Sequence, residues 1–265
     1  MSILIWASHH RLWAGAIGFA VIVAAAIAGV WLIVLRSPGT QISQHQALDI
    51  YHRAQKGRGS TNEFLPESGI YRYRSSGSER LSLGDISRAF PPISDMIVTE
   101  ATCATMQWEP LVQHTEGLVL CRRGDGALDI TSTSSYEQIA GTKTSSVISC
   151  PADTYLVPPH PFVGERWRST CRSPGERIVF DGRIVGTSTV NVSGQPQATV
   201  HTHLTLAFSG SEDGINPNDY WVSVKSGLIL RQRETVAITQ QAGPLGSVHY
   251  SEQMAIQLSS AQPTR

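Results

Sequence analysis

The sequence predicts a mainly β protein: a curved antiparallel sheet or half-open barrel, of two related β-units in one version, after an N-terminal transmembrane helix. Three observations carry this. One uncharged apolar stretch stands near the N-terminus, and four cysteines all follow it. From Gly69 onward the apolar pattern has a period of two, with β-branched residues between regular turn signals.

The anchor comes first. Leu12 to Leu35 is 24 residues without a charge, closed by Arg11 and Arg36. At ~1.5 Å per residue it reaches about 36 Å, enough for a hydrocarbon core of ~30 Å with some tilt. Trp13 and Trp31 sit near its ends, where indole rings favour the lipid boundary. A cleaved signal peptide is the rival, with Ala26-Ile27-Ala28 as its site, but the apolar run continues past it to Leu35. The expected order is a short cytoplasmic tail (1–11), the span (12–35), a stalk or linker with a short helix (36–68), an extracytoplasmic β-domain (69–260) and a disordered tail (261–265). The partner implied by residues 12–35 is the lipid bilayer.

Charge excludes one class of partner. Lys+Arg and Asp+Glu are both 21, so no basic excess points to nucleic acid. Only three of the 21 basic residues are Lys (Lys56, Lys143, Lys225), an Arg bias that fits a GC-rich bacterial genome.

Cys103, Cys121, Cys150 and Cys171 set the compartment. An even number of cysteines, all beyond the span, suits two disulfides in an oxidising space. Of the three connectivities, Cys103–Cys121 and Cys150–Cys171 are favoured. The first pair is symmetric about Val112, as a hairpin requires, and the second brackets the proline-rich segment Pro151 to Phe162. No Cys-x-x-Cys is present, so zinc fingers are not indicated.

After the span, Ser37-Pro38-Gly39 stops the helix, and Ile42 to Lys56 carries a weak helical pattern for a stalk or packing helix. Strands are expected at 70–74, 80–83, 96–106, 117–121, 127–133, 167–171, 178–192, 197–208, 220–224, 228–239 and 248–258. Gly69-Ile70-Tyr71-Arg72-Tyr73 has an echo at Gly164-Glu165-Arg166-Trp167-Arg168. Gly126-Ala127-Leu128-Asp129-Ile130 has one at Gly227-Leu228-Ile229-Leu230-Arg231. Two β-units of roughly 90 residues follow from these matches.

The run Tyr220-Trp221-Val222-Ser223-Val224-Lys225-Ser226-Gly227-Leu228-Ile229-Leu230-Arg231 resembles the hairpin of bacterial lipoprotein-carrier folds, the LolA-, LprG- and RseB-like proteins. The layout also resembles single-pass envelope proteins of actinobacteria. The carrier resemblance covers about a dozen residues. It implies a half-open barrel that cups an acyl chain or a lipidated partner. This chain departs from it in its four cysteines, its transmembrane rather than lipid anchor, and the lack of a strong helix after residue 60 to cross the open face.

Candidate chemistry is sparse. His201 and His203 are two apart on an expected strand, so both face one side and are weak candidates for a metal, with His249 as a distant third. Ser209 to Asn216 faintly resembles a calcium loop but lacks its acids, and reads better as a polar inter-strand loop. Arg123-Gly124-Asp125 fits an ordinary turn, and Asn191-Val192-Ser193 satisfies the glycosylation pattern. Glu109, Glu116, Asp125 and Asp129 read as dispersed turn or strand-end acids. No catalytic motif, catalytic residue or cofactor signature is found. The leading expectation is a non-enzymatic binding or envelope-assembly role with an unknown envelope protein as partner. The alternatives are a carrier of a hydrophobic ligand and an enzyme with an unrecognised site.

Overall fold

A computed structural model describes residues 39–55, 65–82, 86–139, 142–241 and 246–265. The expected span at 12–35 and part of the linker lie outside the described residues. No described helix is long and apolar enough to cross a membrane.

The described chain begins with one helix, α1 (Gln44–Gln55), followed by β1 (Gly69–Leu81), β2 (Ile86–Ala89), β3 (Ile93–Glu100), β4 (Ala104–Leu111), β5 (His114–Arg122), β6 (Leu128–Ile139) and β7 (Thr142–Ser149). Then come β8 (Tyr155–Val157), β9 (Arg166–Ser173), β10 (Glu176–Val192), β11 (Gln195–Gly210), β12 (Glu212–Ser223), β13 (Ile229–Gln241) and β14 (Ser247–Leu258). All fourteen strands form one antiparallel sheet, in nearly sequential order.

The sheet curls until its ends meet. β1 pairs β3 through Gly69–Arg74 on one edge and β14 through Tyr73–Leu81 on the other. The result is a ring of unequal strands rather than a regular barrel, because β7 and β9 meet only at Ser149 and Arg172. The β7–β9 and β1–β14 joints divide the ring into two meanders, β1 with β3–β7 and β9–β14, each of six strands. Both sequence echoes fall at matching places: β1 and β9 open their meanders, and β6 and β13 are the fifth strands.

Alternation explains the interior. On β14, Val248, Tyr250, Glu252, Met254, Ile256 and Leu258 are buried while their neighbours are more exposed. The same phase on β1 places Tyr71, Tyr73, Glu79 and Leu81 inside. The apolar core fills the ring with Met96, Met106, Leu120, Ile130, Phe180 and Leu204 among others. Tyr73 donates to the carbonyl of Ile229 across it, at 2.5 Å.

The helix lies on the outside of this ring. Ser43 caps it: the Gln46 amide N–H donates to Ser43 Oγ, and Ser43 N–H donates to Gln46 Oε1. Ala47 and Tyr51 then bury against Ile70 and Ile97, on the outward phase of β1 and β3. The helix is therefore a packing helix of the domain, and it does not cross the interior.

Both favoured disulfides are present. Cys103–Cys121 spans a Cα separation of 4.4 Å and Cys150–Cys171 one of 4.2 Å. The first closes the β4–β5 hairpin, whose register pairs Ala104 with Leu120 and so centres on Val112. The second lies one residue beyond the single β7–β9 contact and staples the weakest joint of the ring.

Three expectations need correction. The strand expected over 96–106 is a hairpin, β3 and β4, because 101–103 turns. The polar loop expected at 209–216 is mostly strand: only Ser211 separates β11 from β12, so no calcium-like loop forms. The last five residues are not a disordered tail. Ile70 and Thr264 exchange backbone hydrogen bonds of 2.8 and 2.9 Å, and Arg265 pairs with Glu67.

Candidate functional site

Most of the sequence-level candidates sit on the outer surface. His201 and His203 do share a face of β11, and Asp219 of β12 joins them: its Oδ1 is 2.8 Å from His201 Nε2 and 3.1 Å from His203 Nδ1. His201 stacks on Trp221 at 4.2 Å, with Arg231 and Arg233 over the same indole. His249 does not join them. It lies on β14 and bonds Thr239 instead. Arg123 and Asp125 pair with one another at 2.9 Å, and Arg123 also pairs with Asp153, so the tripeptide closes on itself. The four cysteines are structural.

The unexpected feature is inside the ring. A chamber of about 130 Å³ opens among β3–β7 and β10–β13. Its lining is partly apolar, with Met96, Met106, Leu118, Ile148, Ile178 and Phe208, and partly acidic, with Glu116, Glu176, Glu212 and Glu234. Three inward amides brace Glu234. Asn218 Nδ2 donates to Asn216 Oδ1 (2.6 Å), Gln232 Nε2 donates to Asn218 Oδ1 (3.1 Å), and both Asn216 and Gln232 donate to Glu234. Burial and the nearby Glu116 nevertheless push the Glu234 carboxyl up to about 8.

Next to the chamber lies a buried charge cluster. Glu79 of β1 stands in register with Arg88 of β2 on one side and Glu252 of β14 on the other. Arg88 Nε is 2.6 Å from Glu79 Oε1, with the geometry of a charge contact rather than a hydrogen bond. His114, only 1% exposed, packs between Phe90 and Trp108. Its Nδ1 is 3.0 Å from Glu79 Oε2. Among the described residues its Nε2 has no hydrogen-bond partner, and it lies 3.6 Å from Glu116 Oε1 and 3.8 Å from Glu252 Oε2.

Proton placement follows from counting donors. Tyr250 Oη is 2.5 Å from Glu252 Oε2 and 3.1 Å from Glu79 Oε2, yet a phenol has one proton. A protonated Glu252 donating to Tyr250, with Tyr250 donating to Glu79, satisfies both contacts. The electrostatics agree. Burial, with Glu116 and Glu234 adding to it, holds Glu252 well above its usual range. Burial also pushes Glu79 up, but the His114 bond and the His114 and Arg88 charges outweigh it and hold that carboxyl below its ordinary value. For His114, burial opposes the charge while Glu252, Glu116 and Glu79 favour it, and the imidazole ends well above its ordinary value.

Sequence reasoning passed over this cluster. Glu116 read as a dispersed acid, and Glu79, Glu234 and Glu252 were not singled out. The available signal was phase: on β13 and β14 these acids stand in the same alternation as Val236, Ile238, Tyr250 and Ile256.

Fold and interior define a disulfide-stapled antiparallel β-ring with an acidic heart. No family model matches the chain, and no curated protein matches it. Among solved structures it is similar to the hypothetical lipoprotein YmcC from Escherichia coli K12, at 12% identity and a TM-score of 0.31. That alignment covers 81% of this chain and 97% of the other. It is also similar to a protein named as a putative lipoprotein from Parabacteroides distasonis, at 8% identity and a TM-score of 0.32, covering 77% of this chain and 99% of the other.

Proposed function

We propose that this is a non-enzymatic binding protein of the cell envelope. Residues 12–35 hold it in the bilayer, and the β-domain works in the oxidising space outside the cytoplasm. The chamber takes a small ligand with an apolar body and a head bearing an amine or hydroxyl donor. The observation that carries this is the mixed lining, in which Met106, Ile178 and Phe208 share one chamber with Glu116, Glu212 and Glu234. Buried carboxyls with amide neighbours favour donors and cations over anions.

Size narrows the carrier alternative. About 130 Å³ is close to the ~150 Å³ of a dry cavity that accepts benzene, and below the ~300 Å³ at which drug-sized sites begin. A benzene-sized body suits it better than a whole acyl chain.

Benzylamine, benzoate and toluene titrated into the detergent-solubilised full chain test the reading, with Trp108 at the chamber wall as fluorescence reporter. Benzylamine should bind more tightly than toluene, and benzoate not at all. An Ile178→Phe variant, whose overpacking costs about 1–3 kcal/mol, should keep its circular dichroism and lose binding. Equal binding of benzoate and benzylamine, or no binding of either amine or hydrocarbon, refutes it.

A further inference from the structure

We propose that His114, Glu116 and Glu252 form a site for one divalent transition-metal ion of the zinc type, with Glu79 orienting the imidazole. The site does not depend on whether the chamber takes an organic ligand.

The argument begins with His114. Its Nδ1 points at Glu79, which Arg88 holds in place, and this is how a carboxylate fixes the tautomer of a metal-binding histidine. An incoming ion then displaces the proton of the other nitrogen, Nε2, and takes its lone pair. Nε2 is buried, has no hydrogen-bond partner among the described residues, and points between the carboxylates of Glu116 and Glu252. Glu252 Oε1 is likewise buried without a partner.

The spacing suits a shared ion. Two nitrogen or oxygen ligands of a tetrahedral zinc lie ~3.3 Å apart, given bond lengths near 2.0–2.2 Å. Nε2 is 3.6 Å from Glu116 Oε1 and 3.8 Å from Glu252 Oε2. Each carboxylate is thus within a few tenths of an ångström of the separation from Nε2 that a shared ion requires. Glu79, His114 and Glu252 also each place a ligand-type atom within 4.8 Å of the others.

Charge is consistent with this. Without an ion, protons on His114 and Glu252, with Arg88, balance Glu79 and Glu116. One divalent cation replaces those two protons with no change in net charge. Glu116 also borders the chamber, which gives the ion an entry path and a water for its fourth position. The imidazole selects a zinc-type ion over magnesium or calcium, which prefer all-oxygen sites.

The test uses the full chain in detergent, stripped with chelator and carrying His201→Ala and His203→Ala to silence the outer histidine pair. Zinc alone is titrated, with magnesium as control. One zinc per chain is expected, with a rise in melting temperature and a zinc-edge absorption spectrum showing one imidazole and oxygen ligands. Glu116→Gln, at the partly exposed member, should weaken zinc at least about 10-fold without unfolding the domain. His114→Gln should abolish binding, and if that variant does not fold, Glu116→Gln decides. Absence of saturable zinc in the parent chain overturns the proposal. So does one-equivalent binding of unchanged affinity in Glu116→Gln, or an edge spectrum without imidazole.

Discussion

Glu79 and Glu252 face one another directly across the β1–β14 joint, both inside the ring, at 0% and 2% exposure. Like charges directly opposite on paired strands repel. The joint that closes the ring therefore depends on something positive between them: a proton, or an ion.

This makes the two acids unequal. Glu79 is the anion that Arg88 and His114 need, so Glu79→Gln leaves a buried guanidinium unpaired and should destabilise by about 3–5 kcal/mol. Glu252→Gln replaces a carboxyl already held neutral and should cost under about 1 kcal/mol in chelated buffer. Urea unfolding of both variants checks the order. Equal losses would refute the assignment of the proton to Glu252.

Stability should fall as pH rises. Burial lifts Glu109 to about 7 and Glu234 to about 8, so the folded domain keeps protons that the unfolded chain has already lost. With more protons on the folded state, stability declines from the ordinary carboxyl value upward through these raised values. Glu79 works in the opposite sense: its lowered value contributes stability above the ordinary range that is lost on acidification. A maximum near about pH 5 follows, with a lower melting temperature at about pH 8. Glu234→Gln should flatten the alkaline arm. A wild-type melting temperature rising from about pH 5 to about pH 8 in chelator would contradict this.

Local pattern made much of the architecture legible. The symmetry of Cys103 and Cys121 about Val112 is a property of one hairpin, and the Ser226-Gly227 turn announces another. His201 and His203 share a face because strand geometry requires it. The acidic interior was not legible, because it is assembled from residues 35 to about 170 positions apart that only ring closure brings together. An acid on an apolar phase, such as Glu252 between Tyr250 and Met254, was the trace it left in the sequence.

The two disulfides should differ in what they hold. Cys103–Cys121 links strands already paired along β4–β5, so its loss should loosen only that hairpin. Cys150–Cys171 stands where β7 and β9 share a single residue pair. A Cys150→Ser/Cys171→Ser variant should lose about 3 kcal/mol by chain entropy and, in addition, amide-exchange protection across β7 and β9. Protection lost evenly through the ring would count against a local seam.

Gly77 is the most exacting backbone position at the other joint. Its φ is +130°, and a Cβ there would stand 1.9 Å from the carbonyl oxygen of Gln253 on β14. Side-chain rearrangement cannot relieve the clash, because the obstacle is backbone. Gly77→Ala should therefore combine an unfavourable φ with displacement of β14 and cost about 2–4 kcal/mol. Gly175 is the control. Its φ is +83° but it has open space around the added atom, so Gly175→Ala should cost only about 1 kcal/mol. The displacement at Gly77 also moves Glu79 relative to Glu252, two residues along. The same variant should then weaken zinc, whereas Gly175→Ala should leave it unchanged. Retention of full stability and zinc affinity by Gly77→Ala would mean that the ring does not close through β1 and β14 as described.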